Sequence, residues 1–256
     1  MKLIQITDLH LVPAGGRILG IDPAARLRDC IDDINAHHAD ADLVVLTGDL
    51  ANNGEPGAYD ILDAELARLR VPFRLTLGNH DDRAEVLARH PGAADGAGFA
   101  QSVWDGPGGR VILADTLQTG AVEGHLCAAR LSVLDGWMAS APGPVWLFLH
   151  HPPMALGMPA LDRVRLDAPS RAALLSLAQR HGRIAHIAAG HVHRPSAGQW
   201  YGIPVTTLRS TCHQTAFQFE DRFASVPEPP AYAVFVIGDE GAAVHFHDFP
   251  TRDLRA

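Results

Sequence analysis

Near the N-terminus lies the stretch Leu3-Ile4-Gln5-Ile6-Thr7-Asp8-Leu9-His10. It reads as a short strand followed by an aspartate and a histidine. Apolar and polar residues alternate over residues 3–7 with the period of two that is typical of a β-strand. In extended chain, residues i and i+2 point to the same face, so Asp8 and His10 are expected to project together. Carboxylate and imidazole groups placed side by side are candidate ligands of a metal ion.

Four further predicted strands end in the same kinds of polar residue. After strands 42–47, 72–77, 145–149 and 185–189 come, respectively, Gly48-Asp49, Gly78-Asn79-His80-Asp81, His150-His151-Pro152-Pro153 and Gly190-His191-Val192-His193. Ligands of open α/β sheets bind beyond the carboxyl ends of the strands. We therefore expect the five loops to meet at one edge of one sheet.

Strands and helices alternate over the first eighty residues, which favours parallel pairing with helical crossovers. Helix 22–38 is predicted to begin with Asp22 as its N-cap and Pro23 at its first position. The other predicted helices are 57–70, 82–90, 128–140 and 168–182, and the other predicted strands are 110–114, 203–208, 232–237 and 242–247. The late strands lie close together and should add antiparallel pairs, which gives an α/β fold with mixed sheets. Residues 214–231 are predicted to form a loop or cap over the core.

Composition excludes several classes of protein. The 256 residues include 21 basic and 29 acidic ones, a net charge of −8, which argues against long nucleic acid or an anionic membrane as the main partner. The sequence contains no run of about 18 apolar residues, so no membrane span is predicted. The three cysteines lie far apart without a Cys-x-x-Cys pair, which disfavours a disulfide framework and a thiolate zinc site. A cytoplasmic protein is expected.

The five loops together offer seven nitrogen and oxygen donors. They are Asp8, His10, Asp49, Asn79, His191, His193 and one histidine of the pair 150–151. Each motif alone also occurs in ordinary turns, so the prediction depends on their occurring together. Seven donors are too many for one ion of this type, but two ions with Asp49 as a shared ligand would each have four. Imidazole with carboxylate suits zinc, manganese, iron or cobalt.

These motifs resemble the signature of the calcineurin-like metallophosphoesterases, and every element of that signature is present between Asp8 and His193. Within that superfamily the chain is most similar to the bacterial class III cyclic-nucleotide phosphodiesterases and the related glycerophosphodiesterases. The resemblance implies a four-layer α/β/β/α sandwich and a single domain over residues 1–256. It also implies a cap or dimerisation segment around residues 214–231 and assembly into a homodimer or a higher homo-oligomer.

The resemblance further implies which residues carry the chemistry. One metal ion would be held by Asp8, His10, Asp49 and His193, and the other by Asp49, Asn79, His150 and His191. His151 is then a neighbour of the ligands. His80 is expected to contact the phosphate as a catalytic and substrate-binding residue, together with Asn79, and Asp81 is expected to orient it. His213, within Ser210-Thr211-Cys212-His213-Gln214, is expected to line the substrate pocket.

The expected reaction is hydrolysis of a small phosphodiester by a metal-bound hydroxide, with 3′,5′-cyclic nucleotides such as cyclic AMP as first choice. A glycerophosphodiester substrate or a broad phosphoesterase activity is the alternative within the same class. An alternative of another class is a binding protein on the same scaffold without catalysis. It is disfavoured because such proteins lose ligands, whereas all seven donors are present here.

Overall fold

The computed structural model describes residues 1–252. Its strands are Lys2–Ile6 (β1), Leu43–Thr47 (β2), Phe73–Thr76 (β3), Ser102–Gly106 (β4), Gly109–Ala114 (β5), Val145–Leu149 (β6), Ile184–Ala189 (β7), Ser196–Trp200 (β8), Ile203–Thr207 (β9), Gln214–Thr215 (β10), Ser225–Val226 (β11), Ala231–Gly238 (β12) and Gly241–Asp248 (β13). Its α-helices are Pro23–His37 (α1), Pro56–Leu66 (α2), Arg83–Arg89 (α3), Ala128–Ala139 (α4), Pro159–Arg163 (α5) and Ala168–His181 (α6).

The strands form two large mixed sheets and one small hairpin. The first sheet has the order β13-β12-β1-β2-β3, in which β1, β2 and β3 are parallel and the last two strands of the chain are antiparallel additions. The second sheet has the order β4-β5-β6-β7-β9-β8, with a parallel centre and an antiparallel strand at each edge. The prediction of mixed sheets is therefore confirmed.

Three separate apolar cores show that the sheets and helices lie in four layers. On β2, Val44 and Leu46 pack in the same core as Leu27 and Ile31 of α1, while Val45 packs in a core shared by both sheets. The outer face of the second sheet packs on α4 and α6 in a third core. A strand buried on both faces needs apolar residues at every position, which explains why this strand lacks an alternating pattern.

Most predicted elements agree with the structure to within a few residues, and Asp22 caps α1 by accepting a hydrogen bond from the Ala25 amide at 3.0 Å. The strands β4 and β8 and the short helix α5 were missed, as were the two short strands β10 and β11. The segment 214–231 contains the hairpin β10–β11 within an otherwise irregular chain. Residues 253–256 of the predicted domain lie outside the described residues. No helix in residues 1–252 combines the length and the apolar composition that a membrane span requires.

The expectation of a single sheet edge was wrong. The strands that precede Asp8, Asp49 and Asn79 belong to the first sheet, whereas those that precede His150 and His191 belong to the second. The carboxyl ends of both sets of parallel strands lie at the same end of the sandwich, as the contacts of His191 with Asp8 and of His150 with Asp49 show. The loops therefore meet across the seam between the sheets.

His186 is a buried histidine of the core between the sheets. Its ring stacks against Trp146, and its Nε2 atom lies 2.9 Å from the hydroxyl of Thr206. Burial lowers the pKa of His186 to about 4, because an imidazolium ion would lose its hydration there. The neutral ring is therefore the native form at pH 7.

Acid is expected to destabilise the protein through His186. In the unfolded chain its pKa returns to about 6.5, so between about pH 6.5 and pH 4 the unfolded state binds a proton that the native state does not. The free energy of unfolding therefore falls as the pH is lowered, by roughly 2–3 kcal/mol from this group at about pH 4.5. Urea unfolding of the metal-free protein and of His186→Gln across this range measures the difference. A difference that does not change with pH would contradict the assignment.

Candidate metal centre

The loops after β1 and β2 run side by side and continue the parallel pairing of these strands. The Asp8 amide donates to the Gly48 carbonyl at 3.0 Å, and the His10 amide donates to the Asp49 carbonyl at 2.9 Å. These main-chain bonds hold three of the predicted ligands at fixed positions relative to one another. Across the seam, the His191 amide donates to both carboxylate oxygens of Asp8 at 3.1 and 3.0 Å.

Five of the predicted ligands have left-handed backbone conformations. Positive φ angles between 47° and 70° occur at Asp8, His10, Asp49, His191 and His193. The sequence argument placed the side chains of the two Asp-x-His and His-x-His pairs together because extended chain alternates. The pairs do converge, but the chain is not extended there. Strain of this kind, about 1–2 kcal/mol per residue, is characteristic of functional sites.

Glycines allow the loops to approach one another closely. A β carbon on Gly78 would lie 2.1 Å from Asp49 Oδ1, and one on Gly190 would lie 2.0 Å from Thr7 Oγ1 and 2.8 Å from Asp8 Oδ2. All three distances are below van der Waals contact. Any side chain at either position would push a carboxylate out of the centre.

Asp8, His10, Asp49 and His193 form the first cluster of the centre. One ligand atom from each lies within 4.8 Å of the others, and all four residues are buried. His193 Nε2 lies 3.2 Å from Asp8 Oδ1 and 3.1 Å from His10 Nε2, and His10 Nε2 lies 3.6 Å from Asp49 Oδ2. Two carboxylates with two imidazoles at these distances fit a divalent metal ion.

Asp49, His150, His191 and Asn79 form the second cluster. His150 Nε2 lies 3.3 Å from Asp49 Oδ2, the same oxygen that His10 approaches from the first cluster. His191 Nδ1 lies 3.2 Å from His150 Nε2. Within residues 1–252, Asn79 Oδ1 and His191 Nε2 are buried without a hydrogen-bond partner. Buried polar atoms without partners are costly, and a cation bound in this cluster would satisfy Asn79 Oδ1.

Main-chain and side-chain oxygens determine which imidazole nitrogen is available in each cluster. The Nδ1 atom of His150 lies 2.8 Å from the Thr47 carbonyl, and that of His193 lies 2.8 Å from the His213 carbonyl. A carbonyl only accepts, so Nδ1 carries a proton in both rings, and Nε2 is the nitrogen that faces the carboxylates and would ligate an ion once its own proton is released. His10 is held in the same way, with its Nδ1 atom 3.2 Å from Asn52 Oδ1.

His151 differs from His150 in that both of its ring nitrogens have partners. Its Nδ1 atom lies 2.8 Å from the Thr116 hydroxyl, and its Nε2 atom lies 3.1 Å from the Val122 carbonyl. His151 Nε2 therefore donates and Nδ1 accepts, which leaves no lone pair for an ion. His151 nevertheless lies within ligand distance of His150 and His191, and its ring packs against theirs.

The carboxylates of the centre are ionised although they are fully buried. Burial raises the pKa of Asp49, but the positive charge of His150 and its hydrogen bond to Asp49 lower it more, so it lies well below its usual range. The opposite balance holds for His150, where burial lowers the pKa and the attraction of Asp49 and Asp8 raises it to about 9. A protonated His150 thus supplies positive charge to the two acids while no cation is bound. Binding of a metal ion would release that proton.

His10 and His191 are neutral. Burial lowers the pKa of each to about 3, and the positive charge of neighbouring histidines contributes in the same direction. Neutral imidazole is the form that ligates a metal ion. These two rings are therefore in the state required for binding across the whole physiological range of pH.

His80 and His213 lie at the mouth of the centre. The His80 amide donates to Asp49 Oδ1 at 3.0 Å, and its ring Nδ1 atom donates to the Asn52 carbonyl at 2.6 Å. The His80 ring is exposed and leaves Nε2 free towards the cavity that it lines. The Nδ1 atom of His213 has no hydrogen-bond partner within residues 1–252, and burial lowers the pKa of this ring to about 4.

Asp81 has a different environment from the one expected of a residue that orients His80. Its buried carboxylate accepts hydrogen bonds from the amides of Gly78 and Ala51, both at 2.9 Å, and from the Tyr59 hydroxyl at 3.2 Å. The Asp81 carboxylate thus binds main-chain amides and a tyrosine, whereas the His80 ring binds the Asn52 carbonyl. The structure places Asp81 beneath the two loops that carry Asp49 and Asn79, where it ties them together.

Sequence reasoning missed the residues that hold the ligands. Asn52 binds His10 through its side chain and His80 through its carbonyl, and Thr116 binds His151. An asparagine three residues after Asp49 carries no spacing signal of its own. Its role follows only from the tertiary structure.

Comparisons with known proteins show which family the chain resembles over most of its length. A sequence model described as calcineurin-like phosphoesterase matches residues 1–195. A probable cyclic nucleotide phosphodiesterase from Rhodopseudomonas palustris is 40% identical over 252 residues, which cover 96% of this chain and 91% of that protein. A probable glycerophosphodiester phosphodiesterase from Arcobacter nitrofigilis is 31% identical over 254 residues, which cover 96% of this chain and 92% of that protein.

The fold itself has a close counterpart among solved structures. The crystal structure of a dimetal phosphatase from Danio rerio superposes with a TM-score of 0.72 and covers 97% of this chain and 99% of its own. The two sequences are 17% identical, so this likeness concerns the fold alone.

Loss of Asp49 is expected to empty both clusters, because its Oδ2 atom faces a histidine of each. Asp49→Ala purified in the presence of manganese should contain almost no metal by elemental analysis, whereas Asp8→Ala should lose mainly one ion. Asp81→Asn is the matched control, since it changes a buried carboxylate of the same loops that faces neither cluster. It should keep two ions if its circular dichroism spectrum is unchanged. A full pair of ions in Asp49→Ala would rule out a bridging role.

Proposed function

The chain belongs to the calcineurin-like phosphoesterase family, and from this membership we propose that it hydrolyses 3′,5′-cyclic nucleotides, cyclic AMP first, at a pair of metal ions. The family and the relatives make the chain a hydrolase of phosphodiesters. The observation that supports a dinuclear centre is the position of Asp49 Oδ2, 3.6 Å from His10 Nε2 and 3.3 Å from His150 Nε2. One carboxylate oxygen that faces a histidine of each cluster suits a ligand shared by two ions.

The proposed ligands divide into two sets of four with Asp49 in both. The first set is Asp8, His10, Asp49 and His193, and the second is Asp49, Asn79, His150 and His191. We prefer His150 to His151 because its Nε2 atom faces Asp49 Oδ2 within the cluster, whereas both nitrogens of His151 bind groups outside it. Zinc, manganese, iron and cobalt all accept this set of donors.

Charge favours an anionic substrate at this site. Two divalent ions would bring four positive charges and the two carboxylates two negative ones, a net of about +2. The protein as a whole carries −8, but distant surface charges are screened over about 10 Å at ordinary salt. A phosphodiester, which carries a single negative charge, is therefore attracted to the centre.

When bound, such a pair of ions lowers the pKa of a water towards about 7 and stabilises the charge that develops on the phosphate oxygens. The chain's own residues then position the substrate. Asn79 and His80 lie side by side at the mouth, and the His80 ring is held by the Asn52 carbonyl with its Nε2 atom free. A protonated Nε2 can give its hydrogen to the departing ester oxygen. His213 lines the same cavity.

Relatives named as cyclic nucleotide phosphodiesterases support the choice of substrate, and relatives named as glycerophosphodiester phosphodiesterases support the alternative within this class. Metal ions recognise the phosphate rather than the alcohol, so a broader activity on small esters is compatible with the site. A binding protein without catalysis is disfavoured, because all seven donors are present and converge. The homo-oligomeric state and the cytoplasmic location stay predictions of the sequence.

A substrate panel tests the proposal. Protein reconstituted with manganese should hydrolyse cyclic AMP faster, in kcat/KM, than a 2′,3′-cyclic nucleotide, glycerophosphoethanolamine or an aryl phosphodiester. Chelated protein and Asp49→Ala serve as blanks. Preference for glycerophosphoethanolamine would support the alternative substrate. Absence of turnover on every diester, with both ions present, would contradict the hydrolytic function.

Removal of the His80 ring should impair turnover but not metal binding. We expect His80→Ala to lower kcat about 10²–10⁴-fold, the usual range for one acid–base group, while elemental analysis still finds two ions. The ring contacts neither cluster through its nitrogens, which explains the retained metal. His90→Ala, which removes an imidazole from the helical side of the fold, is the control and should keep full activity. Unchanged turnover in His80→Ala over a range of pH would exclude the role.

A further inference from the structure

The cavity above the metal centre has a polar floor and an apolar rim. Its volume is about 520 Å³, and its floor consists of predicted ligands such as His10, Asp49 and His191. Large apolar side chains from four separate segments complete the wall: Ile18, Leu19, Val122, Leu161, Val164 and Phe223. An apolar rim of this kind contributes nothing to the binding of a phosphate. It is suited to a part of the substrate that is itself apolar.

The rim gathers exposed apolar residues in one place. Leu19 is 68% exposed, Phe223 57% and Val122 51%, which makes them three of the eight large apolar side chains that are exposed in residues 1–252. Apolar residues scattered singly over a surface are ordinary. Exposed apolar residues grouped around a ligand cavity mark a binding surface.

Leu19 is exposed and has a strained backbone conformation. Ile18 and Ile21 exchange main-chain hydrogen bonds of 3.0 and 2.8 Å across a two-residue turn formed by Leu19 and Gly20. The φ angles of the two turn residues are +50° and +82°, as in a type I′ turn. Asparagine or glycine is the usual first residue of such a turn. A leucine there is strained and gains no burial in return, so packing does not explain it.

Phe223 is tied to the metal-binding loops through the hairpin that carries it. Thr215 of β10 donates its amide to the His193 carbonyl at 3.3 Å, and Ala216 donates to the Ala224 carbonyl at 2.8 Å. A salt bridge between Arg163 and Asp221 joins the same loop to α5. The position of Phe223 relative to the metal centre is thus determined by bonds at both ends of its loop.

We propose that Leu19 and Phe223 form an apolar clamp for the nucleobase of a cyclic nucleotide whose phosphate lies on the metal centre. The inference rests on the proposed function and assigns the residues that determine specificity within it. A base presents two flat π-faces, and an aromatic ring that stacks on a base strengthens binding about 5- to 150-fold. The polar arms of a glycerophosphodiester have no such face. The clamp therefore favours cyclic nucleotides over glycerophosphodiesters.

The ratio of kcat/KM for cyclic AMP to that for glycerophosphoethanolamine measures the clamp. Phe223→Ala should lower this ratio about 5- to 150-fold, mainly through KM for cyclic AMP. Phe219→Ala is the matched control, because Phe219 is 61% exposed on the same loop and does not line the cavity. An unchanged ratio in Phe223→Ala, or an equal fall in Phe219→Ala, would overturn the proposal.

Leu19→Asn separates a binding role from a structural one. Asparagine suits the left-handed turn, so the midpoint of thermal unfolding should be no lower than that of the wild type. The ratio of kcat/KM should nevertheless fall several-fold, because the apolar contact with the base is lost. An unchanged ratio, or a lowered midpoint, would remove Leu19 from the clamp.

Binding measurements decide the question even if the proposed function fails. Wild-type protein with two ions that hydrolyses neither diester would overturn the function but not the clamp. Calorimetric titration should then show tighter binding of 5′-AMP than of glycerol 3-phosphate, and Phe223→Ala should abolish the difference. Equal affinities for the two phosphates in the wild type would overturn the clamp.

Discussion

Two ionised carboxylates are buried side by side at the seam between the two sheets, and the arrangement around them follows from the need to balance their charge. Asp8 and Asp49 are 0% and 2% exposed. Two negative charges removed from water are stable only beside positive charge or strong hydrogen-bond donors. In this structure His193 beside Asp8 and His150 beside Asp49 supply the charge, and each has its pKa raised, that of His150 to about 9. Protonated imidazole therefore provides the positive charge that a bound metal ion would otherwise provide.

The local backbone follows from the same requirement. To bring donors from five strands within a few ångströms, the chain turns sharply after each strand, and five of the seven donors adopt positive φ. Gly78 and Gly190 allow the loops to touch. Asn52, Asp81 and the Thr47 carbonyl fix the loops and ring orientations by hydrogen bonds. The surrounding sandwich, with its three apolar cores, supplies the stability that offsets this strain.

Most of the fold was predictable because its central parallel strands are largely buried and several of its helices begin with an aspartate cap. Runs such as Val145–Leu149 and the Asp22-Pro23 cap are local signals. By contrast, the edge strand Ser196–Trp200 contains alanine, glycine and glutamine without alternation, so its pairing with β9 alone makes it a strand. The donors were predictable as a set, since polar residues at five strand ends are conspicuous. Their division between two sheets, their left-handed backbone and the role of Asp81 depend on tertiary contacts that no local pattern encodes.

The division of the donors between the sheets has a mechanical consequence. An ion in either cluster would bind atoms from both halves of the sandwich, as His193 and Asp8 already show by their 3.2 Å approach across the seam. Each cation would then act as a cross-link between the two halves of the sandwich. The free energy of unfolding would accordingly rise with the concentration of free metal ion.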